Sequence, residues 1–449
     1  MGIRITNVWW EKEELMSSAA IRSLMRAFLA AAVMLILARV PVQAQEQLKP
    51  GTKITPQNAN LVHDLVSPGV FWRVRNGMIM NIVPSGRIDW PPPYKDATEK
   101  YSSQVRLAPN RVSLAGYVAG QPFPIIDAND PDAAVKIMWN VMFRPMWTDD
   151  FDARYFGCVE VYEGLGNPYK EIDYQLIGHY GAYNEVGRTE VEPLPYDPDF
   201  KISDIMFRAR AFPWLSPQNA RGAGLIRYRY GSPSKADDSW SYAPGTRRVR
   251  RLNEAILGDA TGTLQFSADD AEGYNPKIEN YNYKFLGERP MLAAMHVQTV
   301  PGNVCSTDGG GTVCPAEWEM RRVYVVETTA NRKRIGEELY SKHIVYIDTE
   351  ADVVVYHDMY DRQGELMVNF CNWLTYRDRP VPDAKIAIYP FKRVFQVNGT
   401  STNVQNGLSS FCDLPTPNAP ERECWYINMG AVSKNDFTIE SMVHSAMGL

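Results

Sequence analysis

The sequence predicts a mainly β (α+β) fold, a large curled antiparallel sheet with a few helices covering one side. Three observations carry this. From about Ile202 onward, apolar residues recur at every second position between turn signals, the period of strands with one apolar and one polar face. Helices and strands do not alternate as in a parallel α/β sheet, and no low-complexity tract divides the strand-rich part. Aromatic residues make up 11% of the chain, with 24 tyrosines and 11 tryptophans, which suits a β-rich fold with an aromatic-lined interior.

The expected helices come early. Thr55-Pro56 starts a short one: threonine can cap the free amides, and proline at the first helical position loses no hydrogen bond. Ser67-Pro68 is expected to end it. Trp90-Pro91-Pro92-Pro93 is stiff and extended, and Tyr94 to Gln104 reads as a small helix with Asp96 and Lys100 paired at i,i+4. Asp130-Pro131 opens the clearest amphipathic helix. Ala134, Ile137, Met138, Val141 and Met142 share one face, Trp139 and Asn140 lie beside it, and Pro145 ends it. Such a stripe is read as core packing.

The strands follow. Asp204 to Arg210 is strand-like, and Leu225-Ile226-Arg227-Tyr228-Arg229-Tyr230 alternates arginine with apolar or aromatic residues. Gly231 to Asp237 turns into Ser239-Trp240-Ser241-Tyr242, and Pro244-Gly245 turns again into Arg247 to Leu252. Arg322 to Glu327, His343 to Asp348, Val353 to Tyr360 and Glu365 to Asn369 repeat the pattern.

The N-terminal region reads as a cleavable export signal. Arg22 and Arg26 precede the apolar run Ala27 to Ala38, and Val42-Gln43-Ala44 offers a small-residue cleavage site. The run has twelve residues, where a spanning helix needs roughly 20. Residues 1–44 are thus expected to be leader, the stretch ahead of Met16 or Met25 being an over-long start, and residues 45–449 one exported, soluble domain. Net charge is −5 with both signs mixed along the chain, which leaves out a nucleic-acid footprint.

Six cysteines, Cys158, Cys305, Cys314, Cys371, Cys412 and Cys424, suit disulfides in an exported chain, with several pairings open. Sequence distance suggests Cys305 with Cys314 and Cys412 with Cys424, leaving Cys158 with Cys371. Without a C-x-x-C pair, neither a zinc nor a redox centre is expected. No nucleophile elbow, P-loop or H-E-x-x-H is present, and no cofactor is expected. His357, Asp358 and Asp361 cluster near a turn, but His357 and Asp358 point to opposite faces of a continuous strand, which disfavours a metal.

Several strings resemble a known family. They are Asp96 to Tyr101, Gly116 to Pro124, Lys136-Ile137-Met138-Trp139-Asn140, Asp238 to Arg251, Trp318-Glu319, Tyr324 to Glu327, Tyr346-Ile347-Asp348 and Asp358 to Asp361. In this order, over about Gly51 to Arg377, the sequence is similar to a proteobacterial domain-of-unknown-function family (number thirteen-twenty-nine), grouped with outer-membrane lipoprotein-sorting-like proteins. The Trp-x-Tyr-x-Pro…Arg-Arg string also resembles a hairpin of LolA/LolB-type lipoprotein carriers. The resemblance implies an incomplete β-barrel wrapped around helices, with an apolar cavity for acyl chains. It also implies an RND-type inner-membrane exporter and an outer-membrane β-barrel as partners. The chain departs from plain carriers in its length, its cysteines and its long C-terminal part after Pro380.

Trp240 and Tyr242 share a strand face and are candidate cavity wall, with Tyr228, Tyr230, Phe123 and Trp139 as further candidates; ordinary core packing is the alternative. Arg248 and Arg250 share a face and are head-group candidates, or a solvated strand face. Gly116 to Pro124 reads as a lid or as a buried structural turn. These features point to a non-enzymatic periplasmic carrier of a lipid or other hydrophobic molecule, with transient membrane-surface contact. An exported hydrolase or lyase, or a docking factor without cargo, are the alternatives.

Overall fold

Proline and serine chemistry sets the N-terminal helices. In the computed structural model, which describes residues 48–162, 164–165, 170–252, 264–265, 267–298, 315–336, 338–377, 389–413 and 425–448, a 3-10 stretch covers Pro56–Leu65. Ser67-Pro68 closes it and also opens another helix, α1 (Pro68–Arg75). Ser67 Oγ accepts from the Val70 amide and Pro68 takes the first helical position, so the expected stop signal serves equally as a start. Helix α2 (Pro92–Tyr101) follows the proline run, and α3 (Ala133–Met142) is the amphipathic helix. Ala134, Ile137, Met138 and Val141 are buried as expected, and so are Trp139 and Asn140. Beyond single helical turns at Phe200–Ser203 and Arg332–Ile335, the remaining longer helix, α4 (Ile439–Met447), lies near the C-terminus. Among the described residues no helix is long and apolar enough to cross a membrane. The expected export signal lies outside them.

The strands, in chain order, are β1 (Lys53–Ile54), β2 (Met80–Ile82), β3 (Arg106–Leu107), β4 (Leu114–Ala115), β5 (Asp150–Tyr162), β6 (Lys170–Asn184), β7 (Ile205–Ser216), β8 (Gly224–Tyr230) and β9 (Asp238–Ala243). They continue with β10 (Arg248–Leu252), β11 (Tyr281–Ala293), β12 (Ala316–Ala330), β13 (Lys342–Asp348), β14 (Val354–Tyr360), β15 (Leu366–Arg377), β16 (Arg393–Asn403), β17 (Leu408–Asp413) and β18 (Trp425–Ile427). Among the described residues, all but β3 and β4, which pair with each other, belong to one 16-stranded, unclosed sheet. Its path runs β1-β2-β12-β13-β14-β15-β16-β17-β5-β6-β7-β8-β9-β10, with β11 beside β12 and β18 beside β5. Pairing is antiparallel except between β2 and β12. Pro290 falls in β11, an edge strand among the described residues, the position at which a sheet tolerates proline.

The C-terminal part is integral to the sheet. Strands β16 and β17 stitch β15 to β5 and so join the two halves. The second half of β16, Asn398 to Asn403, is polar throughout, yet every residue of the strand is buried. Burial is tolerated because the polar groups are bonded. Gln396 Nε2 donates to Asn372 Oδ1 (2.7 Å), Ser401 Oγ to the Gln265 carbonyl (2.7 Å) and Ser409 Oγ to Thr402 Oγ1 (3.0 Å).

The sheet is covered on both faces. On the first, α1 lies against β14 and β15. Gly69 lets the helix close in, since a Cβ there would meet Asp358 Oδ1 at 2.4 Å. Asp358 accepts from the Gly69 amide, Ser67 Oγ and Asn369 Nδ2. The buried Arg73 guanidinium sits over Trp373 and Phe411. Farther along this face, α4 covers β7, β8 and β9 through Met442, which packs on Phe212, Ile226 and Tyr242. On the second face, the 3-10 segment Ala268–Gly273 lies against β14, β15 and β16. His357 and Asp358 therefore do point opposite ways: His357 Nδ1 lies 2.6 Å from the Gly273 carbonyl on the second face.

Candidate functional site: an apolar cavity on the second face

Strand alternation decides what reaches the second face. In β7, Phe207, Ala209 and Ala211 point there while Phe212 packs under α4; in β8, Leu225 and Arg227 point there while Ile226 packs under α4. Together with Phe156, Tyr180, Trp214, Phe370 and Leu264, these side chains line a partly open cavity of about 170 Å³. The segment Ser267–Asn275 forms its opposite wall. The small residues Ala209 and Ala211, set among large aromatics, are what leave the space open.

One end of the cavity is polar. Arg227 Nε donates to Asp237 Oδ2 (2.9 Å), and its Nη1 lies 2.7 Å from Asp269 Oδ1. Arg229 Nε donates to the same Asp237 oxygen (3.0 Å) and its guanidinium also bonds Asn275. Glu272 pairs with Arg144 and accepts from Trp147 Nε1 (2.9 Å). Asp270 Oδ2 accepts from the amide and hydroxyl of Ser267 at 2.7 and 2.8 Å. The other Asp270 oxygen faces His357 Nε2 at 3.6 Å, beyond hydrogen-bond reach. Burial pushes the Asp270 carboxyl up to about 6. Burial, with His343 adding repulsion, pushes His357 down to about 3, so this imidazole is neutral. Among the described residues no group of three or more His, Cys, Asp or Glu is arranged to hold a metal.

The arginines of β8 illustrate how the alternation is used. They form the polar face expected from sequence, but that face is interior: Arg227 and Arg229 are buried against the carboxylates above. Trp240 and Tyr242, expected in the cavity wall, lie on the opposite face. Tyr242, with Tyr228 and Trp240 against it, packs beneath α4. The register pairs Trp240 with Ile226 and Gly224 with Tyr242, so these residues follow Ile226 away from the cavity. Tyr230 bonds Asp238 (2.6 Å) and carries the Lys235 ammonium over its ring, away from the lining residues.

Phe123 and Trp139 also lie outside the cavity. Asn140 Oδ1 accepts from the Phe123 amide, Asn140 Nδ2 donates to its carbonyl, and Trp139 Nε1 donates to Val112 (2.7 Å). Of the Gly116–Pro124 loop, Ala119 to Phe123 are buried while Gly116 and Pro124 are exposed, and none of it lines the cavity. The Gln121 amide donates to Thr98 Oγ1 (2.8 Å) and its side chain to Asp352 (2.6 Å). Gly120 has φ +81°, and a Cβ there would meet the Thr98 nitrogen at 2.4 Å. Arg248 and Arg250 are exposed on β10, two strands beyond β8 in the sheet order, and neither lines the cavity. Arg251, also exposed, pairs with Asp238.

The cysteines pair differently from the expectation drawn from sequence distance. Cys158 on β5 bonds Cys412 on β17, directly opposite in register, and both line the cavity. Cys371 is a buried free thiol. Its neighbour Phe370 faces the cavity, so Cys371 points to the other side of the sheet and cannot meet Cys158. Burial pushes its thiol up to about 12. The expected Cys412–Cys424 pair is excluded by the same bond; Cys424, Cys305 and Cys314 lie outside the described residues.

A family model described as protein of unknown function (DUF1329) matches residues 53–407. The chain belongs to this family. No curated protein matches it. Solved structures similar to this DUF1329 chain include an outer membrane lipoprotein-sorting type domain from Vibrio parahaemolyticus, 16% identical, covering 69% of this chain and 98% of that one, with a TM-score of 0.44. A DUF1329 family protein from Desulfovibrio piger is 13% identical over 68% of this chain and 96% of that one, with a TM-score of 0.42. A LolA superfamily protein from Nitrosomonas europaea is 12% identical over 66% of this chain and 92% of that one, with a TM-score of 0.34. The DUF1329 match ends at residue 407, ahead of β17, β18 and α4. Cys412 of the cavity wall and the helix that covers Tyr242 thus come from sequence beyond the matched span.

Proposed function

We propose that this chain is a periplasmic binding and carrier protein for a lipid or other hydrophobic molecule, exported through the N-terminal signal. The observation that carries the reading is the aromatic-walled cavity between the sheet and the Ser267–Asn275 segment. A cavity of about 170 Å³ is large enough to admit a benzene-sized group. Apolar burial supplies roughly 0.8 kcal/mol per methylene, so five or six methylenes contribute about 4–5 kcal/mol. That corresponds to a Kd on the order of 0.1–1 mM. Tighter holding of a longer chain requires the covering segment to move aside. The resemblance to lipoprotein carriers supports transport between the membranes, with an RND-type exporter and an outer-membrane β-barrel as partners.

The test is native mass spectrometry of protein purified from periplasm without detergent, followed by organic extraction. A hydrophobic molecule is expected to co-purify with the wild type and to be lost in Ala211→Trp, which fills the cavity between Tyr180 and Leu225. Circular dichroism checks that the variant folds. A wild type that stays empty after exposure to periplasmic lipid extracts overturns the proposal.

A further inference from the structure

The polar end of the cavity constrains the head group of its ligand, an inference that rests on the binding reading above. Two arginines and two carboxylates neutralise one another there: Arg227 is shared by Asp237 and Asp269, and Arg229 adds to Asp237. Glu272, a further charged lining residue, is matched by Arg144. Arg210 touches the cavity but aims its guanidinium at the opposite face, over Phe212 and Phe437 and onto Asp152. Lys277 does not line the cavity, and its ammonium donates to three backbone carbonyls. Asp270 is different. It lines the cavity, accepts from Ser267, and its other oxygen faces His357 at 3.6 Å.

A ligand head reaching this end therefore meets acceptor oxygens, and among the described lining residues each cation, Arg227 and Arg210, is already paired with a carboxylate. We propose that the cavity takes a hydrophobic ligand whose head donates hydrogen bonds and is neutral or cationic, such as an alcohol or an amine, and discriminates against carboxylate and phosphate heads. The physical basis is that a buried carboxylate repels a second anion in a low-dielectric site, while a donor head satisfies its oxygen.

Three probes of equal chain length separate this from generic desolvation. Octylammonium, n-octanol and octanoate are titrated at pH 8 and followed by ligand-observed saturation-transfer NMR, which suits weak binding. A featureless apolar hole ranks both ions below the alcohol and treats them alike. The proposal expects octylammonium to bind at least tenfold tighter than octanoate. It also expects that ratio to fall at least threefold in Asp270→Asn, which keeps the acceptor for Ser267 and removes the charge. Glu272→Gln is the second variant should the first fail to fold, with the same direction expected. Octanoate binding as tightly as octylammonium, or a ratio unchanged in folded variants, overturns the head-group inference and leaves the carrier reading intact. Failure of all three probes to bind overturns the cavity reading and this inference together.

Discussion

Leu225 and Ile226 are neighbours in β8, and the structure assigns them opposite roles. Ile226 is fully buried against Phe212, Tyr242 and Met442 beneath α4. Leu225 is half-buried and faces the cavity. Ile226→Ala deletes well-packed methylenes and leaves a void that its neighbours cannot fully close, at a cost of about 2–5 kcal/mol. Leu225→Ala only widens a space that already exists. Full burial of a leucine is worth about 1.5–3 kcal/mol, so a half-buried one loses about 1 kcal/mol. Binding should respond in the opposite order: Leu225→Ala alters ligand occupancy and Ile226→Ala leaves it unchanged. Urea denaturation followed by far-ultraviolet circular dichroism gives the stabilities, and native mass spectrometry gives the occupancies. The assignment of the cavity to the second face is refuted if Ile226→Ala changes occupancy in the folded protein while Leu225→Ala does not.

Three further predictions follow from buried features. Cys158 and Cys412 are separated by 254 residues, so replacing both by serine should lower stability by roughly 2–5 kcal/mol through restored denatured-chain freedom; an unchanged denaturation midpoint would count against it. Burial pushes the Asp352 carboxyl up to about 7, with Asp348 adding repulsion and the Gln121 hydrogen bond opposing. Its folded pKa lies above the unfolded one, so its contribution is present below about pH 4 and is lost as pH rises to about 7, up to roughly 4 kcal/mol in all. Asp352→Asn should therefore gain stability relative to wild type across that window, and parallel wild-type and variant pH profiles would exclude the mechanism. Gly120→Ala should cost more than about 1 kcal/mol, since φ is +81° and the Cβ meets the Thr98 nitrogen at 2.4 Å; thermal unfolding of the purified variant measures it.

Local periodicity made much of the sheet legible. The alternation in β8 and β9 shows directly in the sequence, while β13 and β14 are legible as short runs rich in Val, Ile and Tyr between turn signals, being buried on both faces. Long strands such as β5 and β6 were less visible, since bulges interrupt their alternation after Ala153 and Val159. The second half of strand β16 was invisible: a run of Asn, Thr and Ser has the composition of a loop, and only its bonded neighbours on both sides allow it to be buried.

The sequence by itself determined the mainly β class, the family resemblance, the amphipathic helix at Ala133–Met142 and the opposed directions of His357 and Asp358. Those follow from composition, short motifs and periods of two or 3.6, which are properties of neighbours in the chain. Only the tertiary structure decided which sheet face holds the cavity, that β8's arginines point inward, that Trp240 and Tyr242 pack under the C-terminal helix, and that Cys158 meets Cys412. Alternation says that two residues face opposite ways, but it does not say which way is inside. That depends on α4 and the Ser267–Asn275 segment, which come from distant parts of the chain and cover opposite faces of one sheet.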